Sequence, residues 1–180
     1  HLGDKLTRIT KASGFSYGSH DYKALQHILE TFPRDELIQG TEQELLATAI
    51  GVLQIQKRNA VKLFARKDVF GRFVSCLVYV TKERYNTALR IKTQEILARH
   101  LGSTEEVEFT TYFSESNLAR THYIVQAKDD QLDIEVKVIE NDLIEAARSW
   151  DDKLENALTA HHGEAKAKLL AAMPQPSLYV

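Results

Sequence analysis

Apolar residues recur along this chain with two periods, three-to-four and two, and the switches between them mark its elements. Tyr22, Leu25, Leu29 and Phe32 share one helical face. Ser19 ahead of them can accept from a first-turn amide, and Asp21 suits the positive end of the helix dipole. Pro33 stops this helix, so the first forty residues read as two short helices. A longer amphipathic helix follows, opened by the capping box Thr41 and Glu44, with Leu45, Leu46, Ala49, Ile50 and Leu53 on its apolar stripe. Gly51 interrupts that stripe at a cost of about 1 kcal/mol relative to Ala. A close approach of helix to sheet at this point accounts for it.

The period then drops to two. Val61, Leu63 and Ala65 alternate with Lys62, Phe64 and Arg66, the signature of a half-exposed strand. A turn over Asp68 to Gly71 leads into a return strand with Phe73, Leu77 and Tyr79 on one face and Val74, Cys76, Val78 and Val80 on the other. Two apolar faces require two covers. One face can lie under helices; the other is expected against a neighbouring module or subunit. Thr81 is read as the cap of a helix running to Leu101, with Gly102 ending it. A second strand pair follows: Val107, Phe109, Thr111 and Phe113, then Ala119, Tyr123, Val125 and Ala127.

The order helix, strand, strand, helix, strand, strand predicts an α+β fold: a two-layer ferredoxin-like sandwich with an antiparallel four-stranded sheet. The first strand usual in that fold either lies upstream or the sheet is permuted. From Ile134 to His161 an apolar repeat through Val136, Ile139, Leu143, Ala146, Trp150, Leu154 and Ala157 predicts a helix of about 40 Å, long enough for a lever or seam. A short helix over Glu164–Met173 and the segment MPQPSLYV close the chain. The expected division is a helical lead-in over 1–40, the α+β domain over 41–130, and a helical tail over 131–180 linking to a next domain.

Composition narrows the function classes. At 180 residues, 43% hydrophobic and 27% charged, the chain is of globular type. A net charge of −2 gives no general attraction to nucleic acid or anionic lipid. No apolar run approaches the roughly 20 residues of a membrane span. The lone Cys76 fits a reducing compartment, so a cytoplasmic location is expected. The start at HLGDK suggests a piece of a longer protein.

Catalytic motifs are missing from the sequence. It has no GxGxxG, P-loop, HExxH or GxSxG. Cys76 reads as a buried small hydrophobe, and Ser75 on the same strand has no base in view. His122, mid-strand, reads as a hydrogen-bonded structural residue, and His161–His162 as a solvated helix end. No catalytic, cofactor or metal residue is assigned. Two constellations stand out as effector or interface candidates: Arg84, Tyr85 and Asn86 in KERYN, and Ser114, Glu115, Ser116 and Arg120 in SESNLAR.

FGRFVSCLVYVTKERYNTALR, together with GFSYGSHDYKALQHILETFPRDEL, FSESNLARTHYIV and ARSWDDKL, resembles the large bacterial NAD-specific glutamate dehydrogenases in the N-terminal region that holds their ACT-like modules. The blocks run in order from Gly14 to Leu154. The resemblance implies a parent that deaminates L-glutamate to 2-oxoglutarate and ammonium with NAD. It implies a regulatory or assembly role for this segment, which by itself binds no cofactor and is inactive. Implied partners are other domains of the same polypeptide, homo-oligomer contacts and an amino-acid effector, with neither nucleic acid nor membrane. The alternatives are a free-standing module binding a protein, or nucleic acid through Phe64, Phe109 and Tyr112, and a small enzyme in its own right.

Overall fold

The structure, a computed structural model, describes residues 1–58, 61–113, 116–127 and 133–172. Four helices come first: α1 Leu2–Ala12, α2 His20–Glu30, α3 Arg34–Gln39 and α4 Glu42–Arg58. Strands β1 Lys62–Lys67 and β2 Val74–Thr81 form a hairpin, followed by α5 Thr87–Leu101, strands β3 Glu108–Phe113 and β4 Leu118–Val125, and α6 Val136–Ala172. The expected α2 cap forms, with the Tyr22 amide donating to Ser19 Oγ at 3.2 Å. The capping box also forms, with reciprocal bonds of 2.9 and 3.2 Å between Thr41 and Glu44.

The four strands pair antiparallel in the order β1-β2-β4-β3. This is the permuted alternative: α6 follows β4 and joins α5 on one face, where the usual fold would place a strand and helix at the start. Val74, Cys76, Val78 and Val80 meet Leu89, Ile96 and Leu97 of α5 and Ile139, Leu143 and Ala147 of α6.

The opposite face corrects an expectation. Leu77 and Tyr79 are covered by Leu25, Ile28 and Leu29 of α2 and by Leu45, Ala49, Val52 and Leu53 of α4, with Ile9 of α1 and Leu37 of α3 in the same cluster. The chain's own leading helices, and no neighbouring module or subunit, supply the second cover. All eight residues of β2 are consequently buried. The strand is greasy on both faces because it is the middle of three layers.

β1 departs from its half-exposed reading for the same reason. Its second face carries Phe64, which lies against α4 and meets Tyr79 edge to face at 5.9 Å. A Cβ on Gly51 would sit 2.9 Å from Phe64 Cζ, so the glycine does mark the close approach of helix to sheet.

Two boundaries also differ. Thr81 caps no helix: it stays in the ladder opposite Leu118, and α5 starts six residues later behind Asn86, whose Oδ1 accepts from the Leu89 amide at 2.8 Å. Extended pairing with β4 holds Thr81, and the helix forms only where the chain has turned away. The two tail helices are one, α6, of 37 residues, or about 55 Å. Gly163 lies within it, so this glycine does not break the helix. The segment MPQPSLYV lies outside the described residues. Among those described, no helix is long and apolar enough to cross a membrane.

Candidate functional site

A polar cluster between the helical layer and the sheet gathers around Glu36. α3 is short, opening at Pro33 and ending at Gly40, and Glu36 sits in its first turn, where the helix dipole favours a carboxylate. Gly40 is required there: a Cβ would lie 2.9 Å from the Glu36 carbonyl oxygen and 3.1 Å from Leu45 Cγ. The tight exit turns α3 so that Glu36 faces the sheet.

Three strands meet it. Arg66 of β1 donates from Nε and Nη2 to the two Glu36 oxygens at 2.9 and 2.7 Å, a bidentate fork. Ser75 Oγ of β2 donates to Glu36 Oε1 at 2.7 Å, and His122 Nε2 of β4 lies 2.6 Å from that same hydroxyl. Arg66 also donates to Gln39 Oε1 at 2.9 Å. Burial pushes the Glu36 pKa up, but the Arg66 and Ser75 hydrogen bonds and the Arg66 and His122 charges outweigh it and hold the carboxyl below its ordinary value. Burial lowers the His122 pKa, against the opposing pull of Glu36. Arg66 is raised, chiefly by its bond to Glu36.

These contacts correct the reading that Ser75 has no base nearby, and they also show why it is no nucleophile. An ionised Glu36 can only accept, so the single Ser75 proton goes to it. His122 Nε2 must then carry its own proton and donate to Ser75 Oγ, so that nitrogen has no lone pair with which to take the Ser75 proton. His122 is hydrogen-bonded, as expected. Cys76 is buried and its thiol is pushed up to about 12 by burial, so it holds no thiolate. Among the described residues no group of three or more His, Cys, Asp or Glu is placed to hold a metal.

Beside this cluster, between α4 and β1, opens a cleft of about 320 Å³. Phe32, Leu45, Phe64 and Leu77 form apolar walls; Glu36, Glu44, Arg66 and Ser75 are its polar lining. Neither constellation singled out from sequence lies here. Asn86 is the α5 cap, Tyr85 Oη bonds Thr111 Oγ1 at 2.8 Å and packs edge to face on Phe113 at 5.3 Å, and Arg84 stands in the turn before them. Arg120 is on the other face of the sheet, donating to the Thr31 carbonyl at 2.8 Å and lying 4.8 Å over the Tyr112 ring. Ser116 and Arg120 line a void of about 30 Å³, the room of one water. Ser114 and Glu115 lie outside the described residues. The two constellations are therefore separated by the sheet.

Sequence reasoning missed Glu36 and Arg66. A six-residue helix has too little periodicity to announce which residue faces inward, and Arg66 reads as the polar side of a half-exposed strand. The available signal was Ser75 and His122, polar residues inside otherwise apolar strands, which need partners once buried.

Residues 62–151 match the family described as Glutamate dehydrogenase, ACT2 domain, and residues 1–58 match Glutamate dehydrogenase, helical motif 1. The two partners of the cleft's ion pair thus come from different units, Glu36 from helical motif 1 and Arg66 from the ACT2 domain. The NAD-specific glutamate dehydrogenase of Halomonas elongata is 42% identical over 170 residues, and that of Pseudomonas aeruginosa 39% over 173, covering 94% and 95% of this chain. The Mycobacterium tuberculosis protein of the same name is 36% identical over 169 residues. The chain spans about a tenth of the length of these relatives, 10% or 11%. The chain belongs to the glutamate dehydrogenase family, carrying its ACT2 domain behind its helical motif 1.

Proposed function

We propose that the chain is a non-catalytic regulatory or assembly module of an NAD-specific glutamate dehydrogenase acting in the cytoplasm. The parent would oxidise L-glutamate to 2-oxoglutarate and ammonium, with NAD bound elsewhere in the polypeptide. The observation that carries this reading is the fit of a helical motif over residues 1–58 and of an ACT2 domain over 62–151, two units of the family. The locked protonation pattern around Ser75 supports it, since the most reactive-looking cluster is built to hold still. Incubating the chain with glutamate and NAD should give no absorbance from reduced cofactor; turnover would overturn the assignment.

The assembly version draws support from β3. This strand forms one edge of the sheet, and Phe109, Tyr112 and Phe113 on it are 42%, 38% and 55% exposed. An edge strand carrying exposed aromatics is a natural docking line for another domain or a second copy, with Tyr85 alongside it and Arg84 in the turn just before. Stacking of nucleic acid is less well served: Phe64 is packed under α4, Phe109 lies under the Arg90 guanidinium at 4.0 Å, and Tyr112 points to the opposite face. Analytical ultracentrifugation with and without free amino acids separates the versions. A strict monomer binding none of them would remove sensing and self-assembly and leave docking within the parent.

A further inference from the structure

The cleft between α4 and β1 is charge-unbalanced. Two carboxylates, Glu36 and Glu44, border it against one guanidinium, Arg66. That guanidinium is committed on every nitrogen: Nε and Nη2 to Glu36, and Nη1 to Gln39 Oε1 and the Lys67 carbonyl at 2.9 and 3.2 Å. An entering anion meets a fork already matched by protein acceptors, with two carboxylates beside it. An entering cation meets acceptors with capacity to spare. Among the described residues Glu36 Oε2 takes one bond, from Arg66, and the Glu44 carboxylate takes one, from the Thr41 amide.

We propose that this cleft binds a small organic cation, a protonated primary amine on a compact apolar body. The ammonium sits against Glu36 and Glu44, and the apolar body lies between Leu45, Phe64 and Leu77. The volume of about 320 Å³ is at the lower end of small-molecule sites. Because Glu36 and Glu44 come from the helical motif and Phe64 from the ACT2 domain, an occupant holds the two units together. This goes beyond the module assignment and does not rest on it.

The test is calorimetric titration of the 180-residue chain with benzylammonium, benzyl alcohol and benzoate. The expected result is saturable binding of benzylammonium, at least about tenfold tighter than of the alcohol, and none of benzoate. Glu44→Gln keeps the capping acceptor but removes the charge, and should weaken binding several-fold with the fold unchanged by circular dichroism. Ala47→Trp, at the cleft's rim, should abolish it. Equal binding of amine and alcohol, no saturable binding, or an indifferent Glu44→Gln would overturn the proposal. So would tighter binding of a capped Gly-Lys-Gly peptide, which would make the cleft a receptor for a protein side chain. None of these outcomes bears on whether the parent is a glutamate dehydrogenase.

Discussion

At the scale of single residues, the Glu36 cluster sets how the protein responds to acid. Glu36 has a folded pKa below the ordinary 4.5, so its contribution is present above that value and is lost as pH falls through the folded one. His122 is also depressed, below 6.5, because burial disfavours its charged form. Its share of stability is present above 6.5 and declines as pH drops from there toward the folded value. Both slopes have the same sign. Chemical denaturation followed from pH 7.5 to 5 should show stability falling, and His122→Gln should flatten that part of the curve; an unchanged slope would remove His122 from the account. Glu36→Gln leaves Arg66 without its fork partner in a largely buried setting, and should cost about 2–4 kcal/mol. Ser75→Ala removes one neutral donor and should cost about 1–2 kcal/mol.

At the scale of elements, contacts invisible to periodicity decide what forms where. Gly51→Ala gains about 1 kcal/mol of helix propensity. The added carbon would meet Phe64 Cζ at 2.9 Å, and moving that ring away disturbs its edge-to-face contact with Tyr79. Overpacking of about 1–3 kcal/mol wins, so the net effect should be destabilising. In a Phe64→Leu background the same change should turn neutral or favourable, which a double-mutant cycle reads directly. Asn86→Ala should cost about 1 kcal/mol through loss of the α5 cap. The alternation in β2 and β4, the Thr41–Glu44 box and the hairpin turn were legible because each is a local rule. The start of α5 was not: Thr81 is a good cap by type, and only its pairing with Leu118 holds it in the strand. Nor was the length of α6, since Gly163 is a weak break that a helix can carry.

For the whole molecule, the sequence correctly demanded two covers for β2 but misassigned the second. The apolar stripe on the lead-in helices and the second apolar face of β2 each need a cover, and in the fold each covers the other. Nothing in one-dimensional patterning says that a stripe on α2 and α4 fits the Leu77 and Tyr79 face; that match is one of shape. Its consequence is mutual dependence. Each buried Leu, Ile or Phe is worth about 1.5–3 kcal/mol, and the cluster on this side draws on α1, α2, α3, α4, β2 and β4 together. The polar bridge from Glu36 to three strands adds register to that bulk. The helical motif and the ACT2 domain therefore share a core. Producing residues 61–180 without the leading helices tests it most directly, by sedimentation and dye binding against the 180-residue chain. The expected product is a self-associating, dye-binding species with Leu77 and Tyr79 uncovered; a monomeric, cooperatively folded piece of unchanged stability would show that the two units have separate cores.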